Sequence, residues 1–419
     1  MLLLLGLLPT LVSKSQNVPS CYNFADSIIK KDHGRSDDIT SQDLSISGYY
    51  QLGLQWDDKR YDTVPAKNDS GVALYENALA QITRLAKDAR VVLINEGHNL
   101  PTSRCFVLQV LQALKPLGFN AYGAETFMWH DTTLQQRKYP VDTTGYYTRE
   151  PVFGEVVRDA IDMGYDLFPY EDSSQHTTRK VMLDTLGSFL IIYPELNDTA
   201  RVIVKPGGEQ VFYISKAIYL REINQARNII NYLNAHPNAK AVIHVGYGHL
   251  CRNGYTMGYQ PDTALHAKMI LINQESLREH SDTAFEEPFY RHQRFTGYTS
   301  FADRKGAPVS PAKSNYCPVD VTVAHPRTYY IDGRPNWLHT MPGCKAYATT
   351  TFTKINAPSV LVAYYAAEYK ASGQHAVPVD VLELLPDGAT PPLLLRKRLF
   401  TVIQLGVHGE KERYDVKVE

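Results

Sequence analysis

The sequence predicts an α/β fold, with a mainly parallel central sheet flanked by helices and a β-rich C-terminal portion. Two patterns support this. Between residues 76 and 275, short apolar runs of strand length alternate with segments of helical period. Such alternation is typical of parallel sheets covered by helices. Beyond residue 319, apolar runs follow one another with little helical period, as in β-rich structure.

Each element of the 76–275 core has a local signal. The helix over 102–116 carries Val107, Val110, Leu111 and Leu114 at i, i+3, i+4 and i+7, and Gly118 follows as a stop signal. In chain order, the alternation predicts helix 72–87, strand 91–95, helix 102–116, strand 119–125, helix 152–163, strand 165–170, helix 214–235, strand 241–245, helix 262–268 and strand 269–272.

Segments outside this core differ in composition. Residues 1–20 open with a leucine-rich run that is shorter than the ~20 apolar residues needed to span a bilayer, and they predict a signal peptide and export to the periplasm or exterior. Residues 21–75 are polar and predict an irregular N-terminal extension. Residues 276–318 predict a surface excursion, and 319–419 a β-rich portion, part of which extends the main sheet.

Bulk charge and cysteine content limit the partners. Lys and Arg number 43 against 44 Asp and Glu, and no basic block stands out. The sequence therefore predicts a small-molecule partner, with no nucleic acid and no membrane span.

The five cysteines lack CxxC spacing, which argues against a zinc knuckle or a thioredoxin-type motif. Cys317 and Cys344 could form a bridge in an exported protein.

Functional side chains cluster where the predicted strands end. Because ligands of open α/β sheets bind at the carboxyl ends of the strands, we expect these groups to share one site. The groups at these strand ends are Glu96 and His98, Glu125, Glu171, and His244 with His249. Any one of them alone is more often an ordinary surface or core polar residue.

Arginines complete the predicted site. Arg104 lies in the first turn after the Glu96–His98 segment, and Arg221 and Glu222 lie on the helix over 214–235. Arginine side chains can bind a carboxylate or stabilise developing negative charge. Glu222 could orient a histidine. By periodicity alone, the polar face of that helix also fits an ordinary solvated surface.

Several chemistries remain open for this set of residues. A histidine held by a carboxylate can act as a general base that activates water near neutral pH. Imidazole and carboxylate can also bind a divalent metal, although no HExxH motif is present, and histidine can ligate haem iron. The sequence lacks GxSxG, GxxxxGK[ST] and a complete GxGxxG, which removes the usual signals of serine hydrolases, P-loop proteins and Rossmann folds.

The ordered motifs resemble the erythromycin-esterase and ChaN-like superfamily, with more distant Tiki/TraB-like relatives. The resemblance covers residues 85–275 and rests on the following segments, in order: Ile94-Asn95-Glu96-Gly97-His98, Arg104, Leu117-Gly118-Phe119, Glu125, Tyr170-Glu171, Arg221-Glu222 and His244-Val245-Gly246-Tyr247-Gly248-His249. Macrolide esterases have two residues between the glutamate and the histidine, whereas only Gly97 stands between them here.

The resemblance implies an α/β fold with a cleft lined by these strand ends. It implies that His98 is the catalytic base, that Glu96 and Glu125 orient it or the water, and that His249 completes the catalytic set. The implied substrate-binding residues are Arg104, Glu171, Arg221, Glu222 and His244.

We therefore expect an exported, metal-independent hydrolase that attacks an ester or related acyl bond and needs no cofactor. The first alternative is a protein that binds haem or another small ligand in the same cleft without catalysis, and a divalent metal remains a further option. A catalytically inert surface or interaction protein is the third possibility.

Overall fold

The computed structural model describes residues 21–31, 37–65, 74–173, 220–250, 256–258, 261, 265–311, 318–355, 357–385 and 390–419, and the backbone of 180–183, 189–192, 202–204, 212–214 and 216–219. The predicted signal peptide, residues 1–20, lies outside the described residues. Among the described residues, no helix combines the length and the apolar character that a bilayer crossing requires.

Helices and short strands alternate along the first two thirds of the chain. The helices are α1 (Ala25–Lys30), α2 (Asp37–Ile46), α3 (Tyr50–Asp58), α4 (Ala78–Ala86), α5 (Pro101–Leu114), α6 (Leu134–Arg137), α7 (Pro151–Asp162), α8 (Lys216–Ala235), α9 (Pro288–Arg291) and α10 (Ala366–Ser372). Strands of the first part are β1 (Leu74–Asn77), β2 (Val91–Glu96), β3 (Ala121–Ala124), β4 (Asp166–Pro169), β5 (Lys180–Leu183), β6 (Phe189–Ile192), β7 (Val202–Val204), β8 (Phe212–Ile214), β9 (Ala241–Gly246) and β10 (Met269–Leu277).

Strands predominate after β10. They are β11 (Thr299–Ala302), β12 (Val321–Ala324), β13 (Tyr330–Ile331), β14 (Arg334–Pro335), β15 (Lys345–Tyr347), β16 (Ser359–Tyr365), β17 (Asp380–Leu384), β18 (Leu393–Leu395), β19 (Leu399–Gly406) and β20 (Lys411–Lys417). Four of them form an antiparallel sheet in the order β17-β16-β19-β20.

The central sheet has eight strands in the order β1-β11-β12-β10-β2-β9-β3-β4. All neighbours from β12 to β4 pair in parallel, whereas β11 and β1 add an antiparallel edge. This arrangement confirms the predicted α/β fold with a mainly parallel sheet and a β-rich C-terminal portion. It also places the carboxyl ends of β2, β9, β3 and β4 side by side.

The two faces of the sheet bury separate hydrophobic cores. In β2, Val92 and Ile94 pack into a core with side chains of α4, α5 and α7, including Phe106. Val91 and Leu93, on the opposite face, pack into a second core with side chains of α8. A strand that is buried on both faces reads as a continuous apolar run, which is why this segment was recognisable in the sequence.

Two predicted helices differ from the structure. The predicted helix 72–87 is β1 followed by α4, because residues 74–77 pair with β11 and the Asn77 side chain then caps α4 by accepting from the Ala80 N–H. Residues 262–264 of the predicted helix 262–268 lie outside the described residues. The described remainder is not helical, and His266 has a left-handed φ of 46°.

The flanking segments are more ordered than expected. Residues 21–65 hold the helices α1, α2 and α3 instead of irregular structure. The segment 276–318 was expected to leave the sheet, but its β11 pairs with β12 and β1. The prediction that part of 319–419 extends the main sheet is confirmed by β12, which runs parallel to β10. Pairing partners that are distant in sequence decide such edge strands.

Buried ion pairs join the C-terminal sheet to the core. Arg158 of α7 is 4% exposed, and its Nη2 donates to Glu368 of α10 and to the Val377 carbonyl, each at 2.6 Å. Its Nη1 donates to Glu155 at 3.0 Å. Cys344 has a free thiol, and Cys317 lies outside the described residues, so the bridge considered from the sequence has no support.

We predict that Arg158→Ala lowers the free energy of unfolding by about 3 kcal/mol, because it leaves Glu368 without its cation and Glu155 with Arg396 alone. Urea denaturation followed by circular dichroism measures this. Arg84→Ala is the matched control, since Arg84 pairs with Glu76 at the surface and its loss should cost less than about 1 kcal/mol. Equal costs for the two variants would show that Arg158 does not join the two parts.

Candidate functional site

The structure brings every site residue predicted from the sequence into one connected network at the carboxyl edge of the sheet. Glu96 ends β2, Glu125 and Glu171 follow β3 and β4, and His244 lies in β9. The remaining residues lie on adjoining segments: His98 and Arg104 after β2, Arg221 and Glu222 on α8, and His249 in a single helical turn after β9.

Arg104 anchors the first half of the network. Its guanidinium is fully buried and donates from Nε and Nη2 to Glu96, at 2.8 and 3.0 Å. Nη1 donates to Glu150 at 3.0 Å, and Nη2 also donates to the His98 carbonyl at 2.8 Å. Arg104 was predicted to bind substrate; in the structure its side chain is fully buried and makes four hydrogen bonds, which hold Glu96, Glu150 and the His98 backbone.

Glu150 was missed by the sequence analysis. It caps α7, with its carboxylate accepting from the Val152 and Phe153 N–H groups at 3.0 and 2.9 Å. Burial raises the pKa of Glu150, and the charge of Arg104 opposes this shift. An acidic residue directly before Pro151 at a helix start was the available signal, since Pro is favoured at the first helical position and an acid at the cap.

Glu96 is held ionised. Burial raises its pKa, but the charge of Arg104, followed by contacts with His244 and His98, more than offsets this and holds the pKa well below its usual range. One carboxylate oxygen lies 3.1 Å from His98 Nδ1, and the other lies 3.0 Å from His244 Nε2. A buried carboxylate of this kind accepts hydrogen bonds from its neighbours' N–H groups and stays ionised near neutrality.

His98 is the histidine with access to solvent. Its ring stacks on Tyr147 at a centroid distance of 3.7 Å, and its side chain is 13% exposed. With Nδ1–H donating to Glu96, Nε2 carries the lone pair and lies 4.0 Å from Glu125 Oε2. Two acceptors at this separation can share one water molecule, because each can accept one of its hydrogen atoms.

His244 is a buried member of the network. It is 2% exposed, and its Nδ1 lies 2.9 Å from the Tyr122 hydroxyl. Tyr170 donates its hydroxyl to the His244 carbonyl at 2.8 Å. His244, predicted as substrate-binding, therefore contacts only buried groups among the described residues, and its role is to position Glu96.

Glu125 links the two halves of the network. It accepts from the Gly246 N–H at 2.6 Å and from Arg221 Nη2 at 2.7 Å. Burial raises its pKa, but the charge and hydrogen bond of His249 and the charge of Arg221 offset this, and the pKa lies well below its usual range. Gly246 is required here, because a Cβ at this position would lie 2.7 Å from His98 Nε2 and 2.9 Å from Glu125.

His249 carries a positive charge. Its Nδ1 donates to Glu222 at 2.5 Å, and its Nε2 lies 3.4 Å from Glu125. Burial lowers the pKa of His249, but Glu125 and Glu222 raise it to about 10. Glu222 also accepts from the Met257 N–H at 2.6 Å, so its carboxylate is held between this backbone group and His249.

Arg221 and Glu171 close the network at the surface. Arg221 donates to both carboxylate oxygens of Glu171, at 2.9 and 2.6 Å, and Gln225 also donates to Glu171 at 3.0 Å. The Arg221 side chain is 37% exposed, which makes it the cation of the network with the most accessible edge. Arginine held on one side by carboxylates presents its remaining N–H groups in a fixed direction.

A cleft of about 510 Å³ opens beside His98. Gly97, His98 and Asn99 form part of one wall, and Tyr247 and Leu250 form another part. The remaining lining is largely charged or amide-bearing: Asp38, Asp57, Arg60, Asp62, Asn95, Asn273, Glu275, Arg278, His280 and Glu287. Within the described part of the chain, no group of three or more His, Cys, Asp or Glu side chains is arranged to hold a metal ion.

Comparison with known proteins leaves the family open. Neither protein-family models nor curated proteins give a match. Among solved structures, the type III effector HopBA1 is 10% identical with a TM-score of 0.36, over 62% of this chain and 99% of that one. ChaN of Campylobacter jejuni, described with cofacial haem binding, is 8% identical with a TM-score of 0.32, over 61% of this chain and 98% of that one.

A third similar structure is RRSP, a MARTX toxin effector domain from Vibrio vulnificus. It is 16% identical with a TM-score of 0.30, over 59% of this chain and 44% of that one. Likenesses of this size do not establish a shared function, so the site must be interpreted from its own geometry.

We predict that the free energy of unfolding falls as the pH rises from 7 to 9.5, and that His249→Asn reduces this fall. A folded-state pKa of about 10, above the ordinary value near 6.5, means that the protonated side chain stabilises the fold fully below about pH 6.5. Between pH 6.5 and 10 this stabilisation is lost, and the free energy of unfolding falls by about 1.4 kcal/mol for each pH unit.

Urea denaturation at both pH values measures the effect. His236→Asn is the control, because His236 is exposed and should leave the fall unchanged. If His249→Asn and the original protein lose stability equally between pH 7 and 9.5, His249 is not the charged group that the geometry indicates.

Proposed function

We propose that this protein is an exported, metal-independent hydrolase in which His98 activates water for attack on an ester or related acyl bond. The geometry of His98 is the observation that supports this most directly. Its Nδ1 lies 3.1 Å from the ionised Glu96, its Nε2 lies 4.0 Å from Glu125, and the residue lines the cleft. A base that is oriented by a carboxylate and open on its other nitrogen is the arrangement that general-base catalysis requires.

Neither neighbouring carboxylate is suited to act as the base. The pKa values of Glu96 and Glu125 lie well below their usual range, so both carboxylates bind protons weakly. Glu125 instead accepts a hydrogen bond from the water and fixes its position beside His98 Nε2. His249 and Arg221 keep Glu125 ionised and in place.

In the proposed reaction, one proton moves from water to His98 and then from His98 to the leaving group. His98 Nε2 takes a proton from water as the water oxygen bonds to the carbonyl carbon, and the C=O π electrons move to the carbonyl oxygen. The tetrahedral intermediate then re-forms the C=O bond and expels the alkoxide, which receives the proton from His98 Nε2. Glu96 stabilises the transient imidazolium, and the exposed edge of Arg221 stabilises the oxyanion.

The surroundings of His98 favour catalysis over haem binding. The cleft is lined by charged and amide residues such as Arg60, Asn273 and Glu275, but the surface exposed to the cleft is more apolar than polar, so the lining alone suits either kind of ligand. Glu96 already contacts His98 Nδ1, and His98 Nε2 lies 4.0 Å from Glu125, a separation that one water molecule can bridge. We therefore place catalysis before the haem-binding alternative.

We predict that His98→Ala lowers kcat/KM for 4-nitrophenyl acetate by about a hundredfold or more, because proton transfer by a positioned base contributes this much. Hydrolysis is followed by nitrophenolate release, and circular dichroism checks the fold. His292→Ala is the control, since His292 is exposed and lies outside the cleft lining. Unchanged turnover in His98→Ala would remove the assignment of the base.

The cofactor alternatives give a separate prediction. We expect haemin titration to produce no saturable Soret band and EDTA to leave turnover unchanged, because His98 Nε2 is assigned to the attacking water and the proposed base acts without a metal. A saturable band that His98→Ala abolishes would favour the ligand-binding function instead. Turnover that EDTA removes and zinc restores would overturn metal independence.

A further inference from the structure

A side pocket of about 180 Å³ adjoins the cleft. The two cavities share Asn99, Arg278 and His280 in their linings, so they open onto the same walls. Asn99 directly follows His98 in the chain. A group bound in the side pocket would therefore lie close to the bond that His98 attacks, which is where a substrate-recognition subsite is useful.

One part of the side pocket is apolar. Tyr50 and Trp337 meet edge to face with centroids 5.0 Å apart, and both line the pocket with Leu54, Leu100 and Pro101. A cavity of about 150 Å³ lined by apolar side chains is known to hold one benzene molecule. The side pocket is therefore large enough for one ring.

Asn99 lines this pocket and carries a buried hydrogen-bond donor without a partner among the described residues. Its side chain is 3% exposed, and the donor is its Nδ2. A buried donor without a partner costs about 1–3 kcal/mol. A ligand oxygen that accepted this hydrogen bond would recover that cost.

His325 presents an acceptor in the same pocket. Gln274 donates its Nε2 to the Asn95 carbonyl, so its Oε1 accepts from His325 Nε2–H at 3.1 Å. Burial and the charge of Arg278 lower the pKa of His325 to about 3, which keeps the ring neutral. Its Nδ1 is therefore a lone-pair acceptor, and it has no partner within the part of the chain that the structure describes.

We propose that the side pocket is a subsite for a ring-sized substrate group that bears a hydroxyl, with the hydroxyl oxygen accepting from Asn99 and its proton donated to His325. A hydroxyl is the smallest group that is both donor and acceptor. This assignment depends on the proposed function in one respect: it takes the bound ring to be part of the substrate of the hydrolase. The hydrogen-bonding pair and the aromatic wall are features of the pocket itself.

The test compares three rings of similar size. p-Cresol has the donor and the acceptor, 4-methylanisole has the acceptor alone, and toluene has neither. Binding to the full chain is measured by saturation-transfer-difference NMR titration. We expect p-cresol to bind about tenfold more tightly than 4-methylanisole, because the ether leaves His325 Nδ1 buried and unpaired, and toluene to bind most weakly.

The Asn99→Leu variant tests whether p-cresol binds in the side pocket. Leucine is similar in size to asparagine and removes the unpaired donor. The free energy of unfolding of the Asn99→Leu variant should therefore equal or exceed that of the original protein. The affinity for p-cresol should fall about tenfold while that for toluene is unchanged or higher. Gln51→Ala changes an exposed polar group at the same pocket and should leave both affinities within about twofold.

The outcomes separate this inference from the proposed hydrolase. p-Cresol binding that persists in His98→Ala, in a protein without esterase activity, would retain the subsite and overturn only the reaction. Esterase activity that p-cresol does not inhibit competitively would overturn the subsite. Equal binding of all three rings, no binding of any, or p-cresol binding that Asn99→Leu leaves unchanged would also overturn it.

Discussion

The fully buried guanidinium of Arg104 is the constraint on which the site depends. It lies between Glu96 and Glu150, both at most 2% exposed, and it compensates two charges that would otherwise be very costly to bury. It also donates to the His98 carbonyl, so the same group fixes the backbone that carries the proposed base. The start of α7, the end of β2 and the loop after it are thereby joined at one point.

A second charge cluster surrounds Glu125, and His98 lies between the two clusters. His249 and Arg221 supply positive charge on one side of Glu125, while Glu222 and Glu171 hold those cations in place. His98 contacts Glu96 through one nitrogen and faces Glu125 with the other. The site is therefore rigid before any substrate arrives, which is the condition under which fixed charges and donors accelerate a reaction most.

The cleft and the side pocket extend this arrangement towards substrate recognition. His98 and Asn99 are adjacent in sequence, with His98 in the wall of the cleft and Asn99 in the walls of both cavities. Asn99 and His325 each carry a buried hydrogen-bonding atom that has no partner among the described residues. The proposed base and the proposed recognition residue are thus neighbours in a single loop after β2.

The sequence by itself determined the parallel core and the ends of its strands, because apolar runs buried on both faces of a sheet are continuous and end at polar groups. It identified Glu96, His98, Glu125 and His249 for that reason. The roles of Arg104 and His244 could not be read from it, since burial and pairing depend on residues such as Glu150 and Tyr122, which are distant in the chain. The edge strand β11 and the helices of residues 21–65 likewise depend on remote partners. Only the tertiary structure decided which charges face each other and which face the cleft, because the energy of a charge is set by its neighbours in space and by its distance from water.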